Sequence, residues 1–237
     1  MPKTLCFDLD NTLWDDDASL QACVMRVCGG LVAHLKPFDA FTLARDYIRR
    51  SDDYWLTKRW DVELLPDARL QLWTETLAAY GCDDPGVVLQ ARDAYTTYRH
   101  EHAVCYEDTQ EVIARLHSRY RLAAITNGHG EVQRARLRVA GLEAFFAAVV
   151  SATDIDLVKP SAAMFHCLLA RVGASPRETW HIGDSLTADV QGARNAGLDA
   201  AVWLNRHGHR RTESDPEPHH EVEDLHGLVS LLERYGG

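Results

Sequence analysis

The chain of 237 residues has only 3 methionines and 8 prolines, no C-x-x-C pair, and no apolar run near the ~20 residues that span a bilayer. With no such run, and with Met1-Pro2-Lys3 leading straight into a strand-like stretch, the expectation is a cytoplasmic protein. The six cysteines, Cys6, Cys23, Cys28, Cys82, Cys105 and Cys167, are scattered, mostly in apolar segments. That usage reads as buried reduced thiols and argues against zinc sites and disulfides. Positive charge is also scarce: 25 Lys and Arg against 35 Asp and Glu give a formal net charge of −10. Such a balance disfavours a nucleic-acid polymer or an anionic membrane as partner, although a local cluster of cations can still hold a small anionic substrate. What is present, 46% hydrophobic and 25% charged residues, suits a soluble globular protein with one large domain or one domain carrying an insertion.

The rest of the chain is organised around residues 4–15. Thr4 to Phe7 are apolar or β-favouring and predict a buried strand whose carboxyl end delivers Asp8 and Asp10, with Asn11 and Thr12 turning the chain. Strand residues two apart share a face, so both carboxylates can enter one crevice. Two unit charges about 4 Å apart repel by roughly 4 kcal/mol at an effective dielectric near 20, so a cation is expected beside them. A plain turn after a strand is the alternative reading of the same residues.

Residues 18–100 show no strand signal. Leu20, Val24, Val27, Leu31 and Leu35 recur at helical spacing before Pro37. Further helices are predicted over 39–60, from after Pro66 to Gly81, and over 86–102. From Tyr106 helix and strand alternate, the pattern of a parallel sheet with crossover helices. Helices are predicted at 111–120, 131–140, 162–172, 188–196 and 225–235, strands at 122–126, 147–151, 180–182 and 200–204, and a polar loop over 205–221. The expected fold is α/β: a doubly wound, Rossmann-like core with a mostly parallel sheet, residues 1–15 and 104–237, and an inserted all-helical domain, residues 16–103. Ligands of such sheets bind outside the carboxyl ends of the strands.

Three further polar loops follow strands. Thr126-Asn127-Gly128 offers a hydroxyl, an amide and backbone N–H groups suited to phosphate oxygens, or a simple turn. Lys159-Pro160 presents an ammonium that would offset the repulsion of nearby carboxylates. Gly183-Asp184-Ser185, with Asp189 a turn later, adds hard oxygen donors of the kind Mg²⁺ prefers, or a helix cap.

Asp-x-Asp-x-Thr at Asp8 to Thr12, Thr126-Asn127-Gly128, Lys159-Pro160 and Gly183-Asp184-Ser185 through Asp189, in this order and each at a strand-end loop, resemble the haloacid dehalogenase (HAD) superfamily. The helical insertion after the first motif is similar to that superfamily's cap. The stretches around Ile125, Val158 and Gly183, with Trp203-Leu-Asn-Arg, look most similar to the pyrimidine 5′-nucleotidase and N-acylneuraminate-9-phosphatase relatives. The resemblance implies a phosphoric monoester hydrolase acting on a small phosphorylated metabolite, such as a nucleoside monophosphate, with Mg²⁺ as cofactor. It implies Asp8 as nucleophile, Asp10 as general acid and base, and Mg²⁺ held by the Asp8 carboxylate, the Asp10 backbone carbonyl and Asp184, with Asp189 in support. Thr126, the Asn127 backbone, Gly128 and Lys159 would hold the phosphoryl oxygens, Lys159 also serving catalysis. Dehalogenase members lack an acid at the second position, because halide leaves without a proton, so Asp10 favours ester hydrolysis over a 2-haloacid dehalogenase. Mutases carry Gly-Val-like residues where this chain has Asn11-Thr12. A phosphotransferase or a non-catalytic binding protein on the same fold are the other readings.

Tyr54, Trp55, Trp60 and Trp73 read as the core of the helical insertion rather than as rings presented to a substrate. Arg49, Arg50, Lys58 and Arg59 read as solvated faces, and His207, His209, His219 and His220 as part of a solvated loop. The oligomeric state, monomer or homodimer, stays open.

Overall fold

The computed structural model describes residues 1–32, 39–58 and 65–235, without the side chains of 55–58 and 65–67. Leu35, Pro37, Arg59 and Trp60 lie outside the described residues, as do the side chains of Trp55, Lys58 and Pro66. The chain forms two compact units, Met1–Asp15 with Val104–Gly237, and Asp16–Ala103.

The first unit is built on six parallel strands: β1 Thr4–Phe7, β2 Arg121–Thr126, β3 Phe146–Ser151, β4 Thr179–Gly183, β5 Ala200–Leu204 and β6 His220–Val222. They lie in the order β3-β2-β1-β4-β5-β6, so β1 pairs with both β2 and β4 and the winding reverses at that point. Strand alternation divides the β1 side chains between the two faces. Cys6 joins Ala123, Ile125, Met164, Phe165 and Ala193 in one cluster, while Leu5 and Phe7, both fully buried, point to the other face.

Four helices form the second unit: α1 Asp16–Leu31, α2 Ala40–Lys58, α3 Leu65–Ala79 and α4 Pro85–Glu101. Pro66 falls within the first turn of α3 rather than before it, a position where its missing N–H costs nothing. Asp84 caps α4 by accepting from the Gly86 N–H at 2.7 Å. Tyr54 and Trp73 are buried in this unit's apolar cluster, and the Trp73 ring stacks on Tyr47 at 4.0 Å. Arg49 is exposed, whereas the Arg50 Nε is buried. Among the described residues no helix is long and apolar enough to cross a membrane.

The sheet unit's helices are α5 Thr109–His117, α6 Gly130–Val139, α7 Ala152–Ile155, α8 Ala162–Val172, α9 Gln191–Asn195 and α10 Leu225–Tyr235. Two expectations are corrected. The helix expected over 188–196 opens as a π-helical turn, Leu186–Val190, capped by the Ser185 side chain, before it becomes α9. The segment 205–221, expected to be loop, contains the start of β6. With one apolar residue in three, β6 has no strand pattern of its own. It is held from outside by pairing with β5, by Asn205, whose N–H donates to the Val222 carbonyl at 2.8 Å and whose Nδ2 donates to Glu221 at 2.7 Å, and by the Trp180 ring 5.2 Å from His220.

Arg206, just after β5, closes the loop side of the sheet. Its guanidinium makes two hydrogen bonds to Asp108, at 3.0 and 3.1 Å, donates to the Thr12 carbonyl and lies 4.0 Å from the centre of the Tyr106 ring. Asp108 in turn accepts from the Leu225 N–H at 2.8 Å. Arg206→Ala therefore leaves a buried carboxylate unpaired and is expected to cost about 3 kcal/mol, seen as a lower urea midpoint at unchanged slope.

Candidate active site

Asp8 leaves β1 with its N–H still bonded to the Ile182 carbonyl of β4, at 2.9 Å, so its position is fixed by the sheet. The chain then turns through Asn11, which holds a left-handed φ of +57° that Asn tolerates better than most residues. The turn brings the Thr12 hydroxyl to 3.4 Å from Asp8 Oδ2. Asp8, Lys159 and Asp189 are all buried, at 5%, 5% and 1% exposure. The Lys159 ammonium donates to Asp8 Oδ1 and, at 2.7 Å, to Asp189 Oδ1.

Each member of this cluster has its own support. Asn127 uses its side chain to grip the Lys159 backbone, accepting from the Lys159 N–H at 2.7 Å and donating to its carbonyl at 3.2 Å. Thr126 Oγ1 accepts from the Gly128 N–H at 3.0 Å, which leaves the hydroxyl proton to donate. Asp189 Oδ2 accepts from the Ser185 N–H at 3.0 Å, and His181 Nε2 stands 2.9 Å from Oδ1. The other His181 nitrogen lies 3.0 Å from the Cys6 carbonyl on β1. A Cβ at Gly183 would sit 2.3 Å from the Asp189 side chain, so only glycine admits that close approach.

The expected loops thus meet outside the carboxyl ends of β1 and β4, at the reversal of the winding, where open α/β sheets bind ligands. Asp8, Asp184 and Asp189 present ligand oxygens within 4.8 Å of one another. Asp10 has partners of its own. Its Oδ1 accepts from Trp14 Nε1 at 2.8 Å and from Arg136 at 2.7 Å, and its Oδ2 accepts from Gln133.

The electrostatics follow from burial. Burial pushes the Asp8 carboxyl well above the usual range, only partly offset by Lys159. Burial and the nearby Asp189 push Asp184 up to about 7. Burial would raise Asp189 too, but Lys159 and His181 outweigh it and hold this carboxyl below the usual range. Lys159 is held above its usual value because Asp189 and Asp8 outweigh the cost of burying it. Burial pushes His181 down, against the pull of Asp189.

Three carboxylates and one ammonium carry an excess of two negative charges when ionised, and every donor is a hard oxygen, so the site suits a divalent cation such as Mg²⁺. The Asp189 oxygens are already engaged by Lys159, His181 and Ser185. Asp8 has fewer donors, Lys159 on Oδ1 and the Thr12 hydroxyl only at 3.4 Å on Oδ2, so Asp8 and Asp184 are the carboxylates better able to face a cation.

Trp14, Gln133, Arg136 and His181 were not singled out in the sequence. A signal existed for Arg136, which lies four residues after Val132 on the apolar stripe of α6. His181 is a lone polar residue inside a strand that is otherwise apolar.

A doubly wound α/β fold with a lysine-paired carboxylate at its switch point defines a fold class with a candidate site, and comparison with known proteins identifies the family. The family model for haloacid dehalogenase-like hydrolases matches residues 2–197. The chain belongs to that family. It is 26% identical over 235 residues to the N-acylneuraminate-9-phosphatase of Mus musculus, covering 98% of this chain and 94% of that one. It is 29% identical over 239 residues to the pyrimidine 5′-nucleotidase PynA of Streptococcus pneumoniae, covering 98% and 95%. The HAD-hydrolase YfnB of Bacillus subtilis, in a crystal structure bound to magnesium, superposes with a TM-score of 0.82 at 25% identity, covering 98% of each chain.

Proposed function

We propose that this hydrolase is a Mg²⁺-dependent phosphatase that cleaves a small phosphate monoester, such as a nucleoside monophosphate or a sugar phosphate, through an aspartyl-phosphate on Asp8. The observation that carries the proposal is the buried Asp8 carboxylate bonded to Lys159, with a second carboxylate, Asp10, two residues later on the same loop.

Asp8 attacks phosphorus, forming an O–P bond as the bond from phosphorus to the leaving alcohol breaks, and Asp10 gives that alcohol its proton. Asp10, now a carboxylate, takes a proton from water as the water attacks the same phosphorus. The Asp8–phosphate bond breaks, releasing phosphate and restoring both side chains. Lys159 and the Thr126 hydroxyl hold phosphoryl oxygens while negative charge spreads over them. Asn127 acts through the Lys159 backbone rather than by binding phosphate with its own side chain. Asp8 and Asp184 would hold the Mg²⁺, with Asp189 in support, and the bound cation supplies charge neutralisation for the phosphoryl group. Asp10 speaks for an ester substrate, since a departing halide needs no proton.

Release of inorganic phosphate from nucleoside monophosphates, sugar phosphates and phosphoglycolate, each with Mg²⁺ or a chelator, tests the reading. Metal-dependent release from at least one class is expected. No release from any of them, or release indifferent to the chelator, overturns it.

The metal also predicts a stability signature. An Asp184 carboxyl that ionises near pH 7 in the fold but near 4 when unfolded contributes stability below pH 4 and loses it as pH rises through about 7. A cation binds only the ionised form. The rise in melting temperature on adding Mg²⁺ should therefore grow from pH 6 to pH 8. A rise that is flat or shrinks over that range counts against Asp184 as a ligand.

A further inference from the structure

Three donors converge on one carboxylate of the first motif. Arg136 is fully buried, lies 4.6 Å from the centre of the Trp14 ring and bonds Asp10 Oδ1 at 2.7 Å. Trp14 Nε1 donates to the same oxygen at 2.8 Å, and Gln133, one turn before Arg136 on α6, donates to Oδ2. Taking a guanidinium out of water costs several kcal/mol, so a fully buried one is held by the groups it pairs with. Gly128 takes part as well. A Cβ there would lie 2.2 Å from Gln133 Nε2, so the glycine of Thr126-Asn127-Gly128 makes room for the amide that reaches Asp10.

We propose that Arg136, with Trp14 and Gln133, forms the positioning group for Asp10, fixing the rotamer from which it passes its proton to the leaving alcohol. The inference rests on the phosphatase reading above. Arg136 and Trp14 each need an acceptor and both address Oδ1, so Oδ2 is the oxygen that carries the transferred proton. An acid free to rotate spends part of its time out of reach of the ester oxygen. An acid held from both sides does not.

A structural ion pair and a positioning group separate on leaving-group dependence. An alkyl monophosphate needs a proton on its alcohol, whereas p-nitrophenolate departs without one. Stopped-flow and steady-state kinetics in Mg²⁺ would compare the two esters for the parent, Asp10→Asn, Arg136→Met, Arg136→Lys, Trp14→Phe and Gln133→Leu. Asp10→Asn should lower kcat for the alkyl ester about 10²–10⁴-fold while keeping the first-turnover burst of nitrophenolate. Arg136→Met should lower the same kcat about 10–100-fold, leave KM within about threefold and keep the burst, and Arg136→Lys should recover part of the loss. Trp14→Phe and Gln133→Leu should show the same selectivity at about 3–10-fold, and they decide the matter if Arg136→Met does not fold. Asp10 also serves the water step that both esters share, so the first-turnover rate is the readout: equal losses of that rate on both esters in these variants, or none on the alkyl ester while Asp10→Asn shows its selective loss, overturn the positioning role. If Asp10→Asn itself shows no leaving-group selectivity, the acid assignment has failed instead, and the positioning role falls with it.

Discussion

Replacing Lys159 with methionine is expected to lower stability by about 3–5 kcal/mol and to slow turnover by about 10²–10³-fold. Methionine matches the length of the lysine stem, so packing is nearly kept and the charge is what disappears. That charge is the only ammonium or guanidinium bonded to Asp8 and Asp189 among the described residues. Without it three carboxylates crowd one buried site, with Asp8 and Asp189 almost out of solvent. Breaking a buried pair by removing one partner costs far more than an exposed pair contributes, because the remaining charge cannot be rehydrated in place. Urea unfolding in a chelator measures the stability term, and kcat/KM on the best phosphate ester measures the other. A Lys159→Met protein as stable as the parent would mean that the cluster is less charged than the geometry implies. One that kept full activity would remove lysine from the proposed chemistry.

Much of the fold was legible because local and tertiary signals agreed. Helix α8 runs Ala162–Val172 and α10 runs Leu225–Tyr235, the ranges expected from apolar periodicity, and α8 stops at Gly173, whose φ is +62°. Strand β1 was equally plain, a short apolar run ended by charge. Strand β6 was not, because its stability comes from β5 and Asn205 rather than from its own residues. The same distinction runs through the site. Asp8, Lys159 and Asp184 stand at strand ends, where a polar residue after an apolar run is conspicuous. Arg136 and His181 lie inside elements, Arg136 on the apolar stripe of α6 and His181 within an apolar strand, so their positions read as buried but their partners do not show. Their partners, Asp10 and Asp189, are 126 and 8 residues away, and no periodicity announces such a pairing. The resemblance implies a backbone role for Asn127, and no sequence signal announces the second task of its side chain, which grips the backbone of Lys159.

Asp8→Asn should behave in the opposite way to Lys159→Met, losing activity without losing stability. If Asp8 is the nucleophile, kcat should fall by a factor on the order of 10⁴ or more, as when the nucleophile is removed from other enzymes that form covalent intermediates. For stability the sign follows from the raised carboxyl pKa, caused first by burial and only partly offset by Lys159. Below the unfolded pKa near 4 this group favours the fold, and as pH rises through its folded value that contribution is lost, because the folded state resists an ionisation the unfolded state accepts. Asparagine has nearly the same shape, keeps an oxygen that can accept from Lys159, and never ionises. In a chelator at pH 8 its melting temperature should therefore equal or exceed that of the parent. With one carboxylate fewer facing the cation, adding Mg²⁺ should raise the variant's melting temperature less than it raises the parent's. A variant that melts well below the parent without metal would show that the Asp8–Lys159 pair stabilises the fold rather than straining it. A variant that still released phosphate at the parent's rate would place the nucleophile elsewhere.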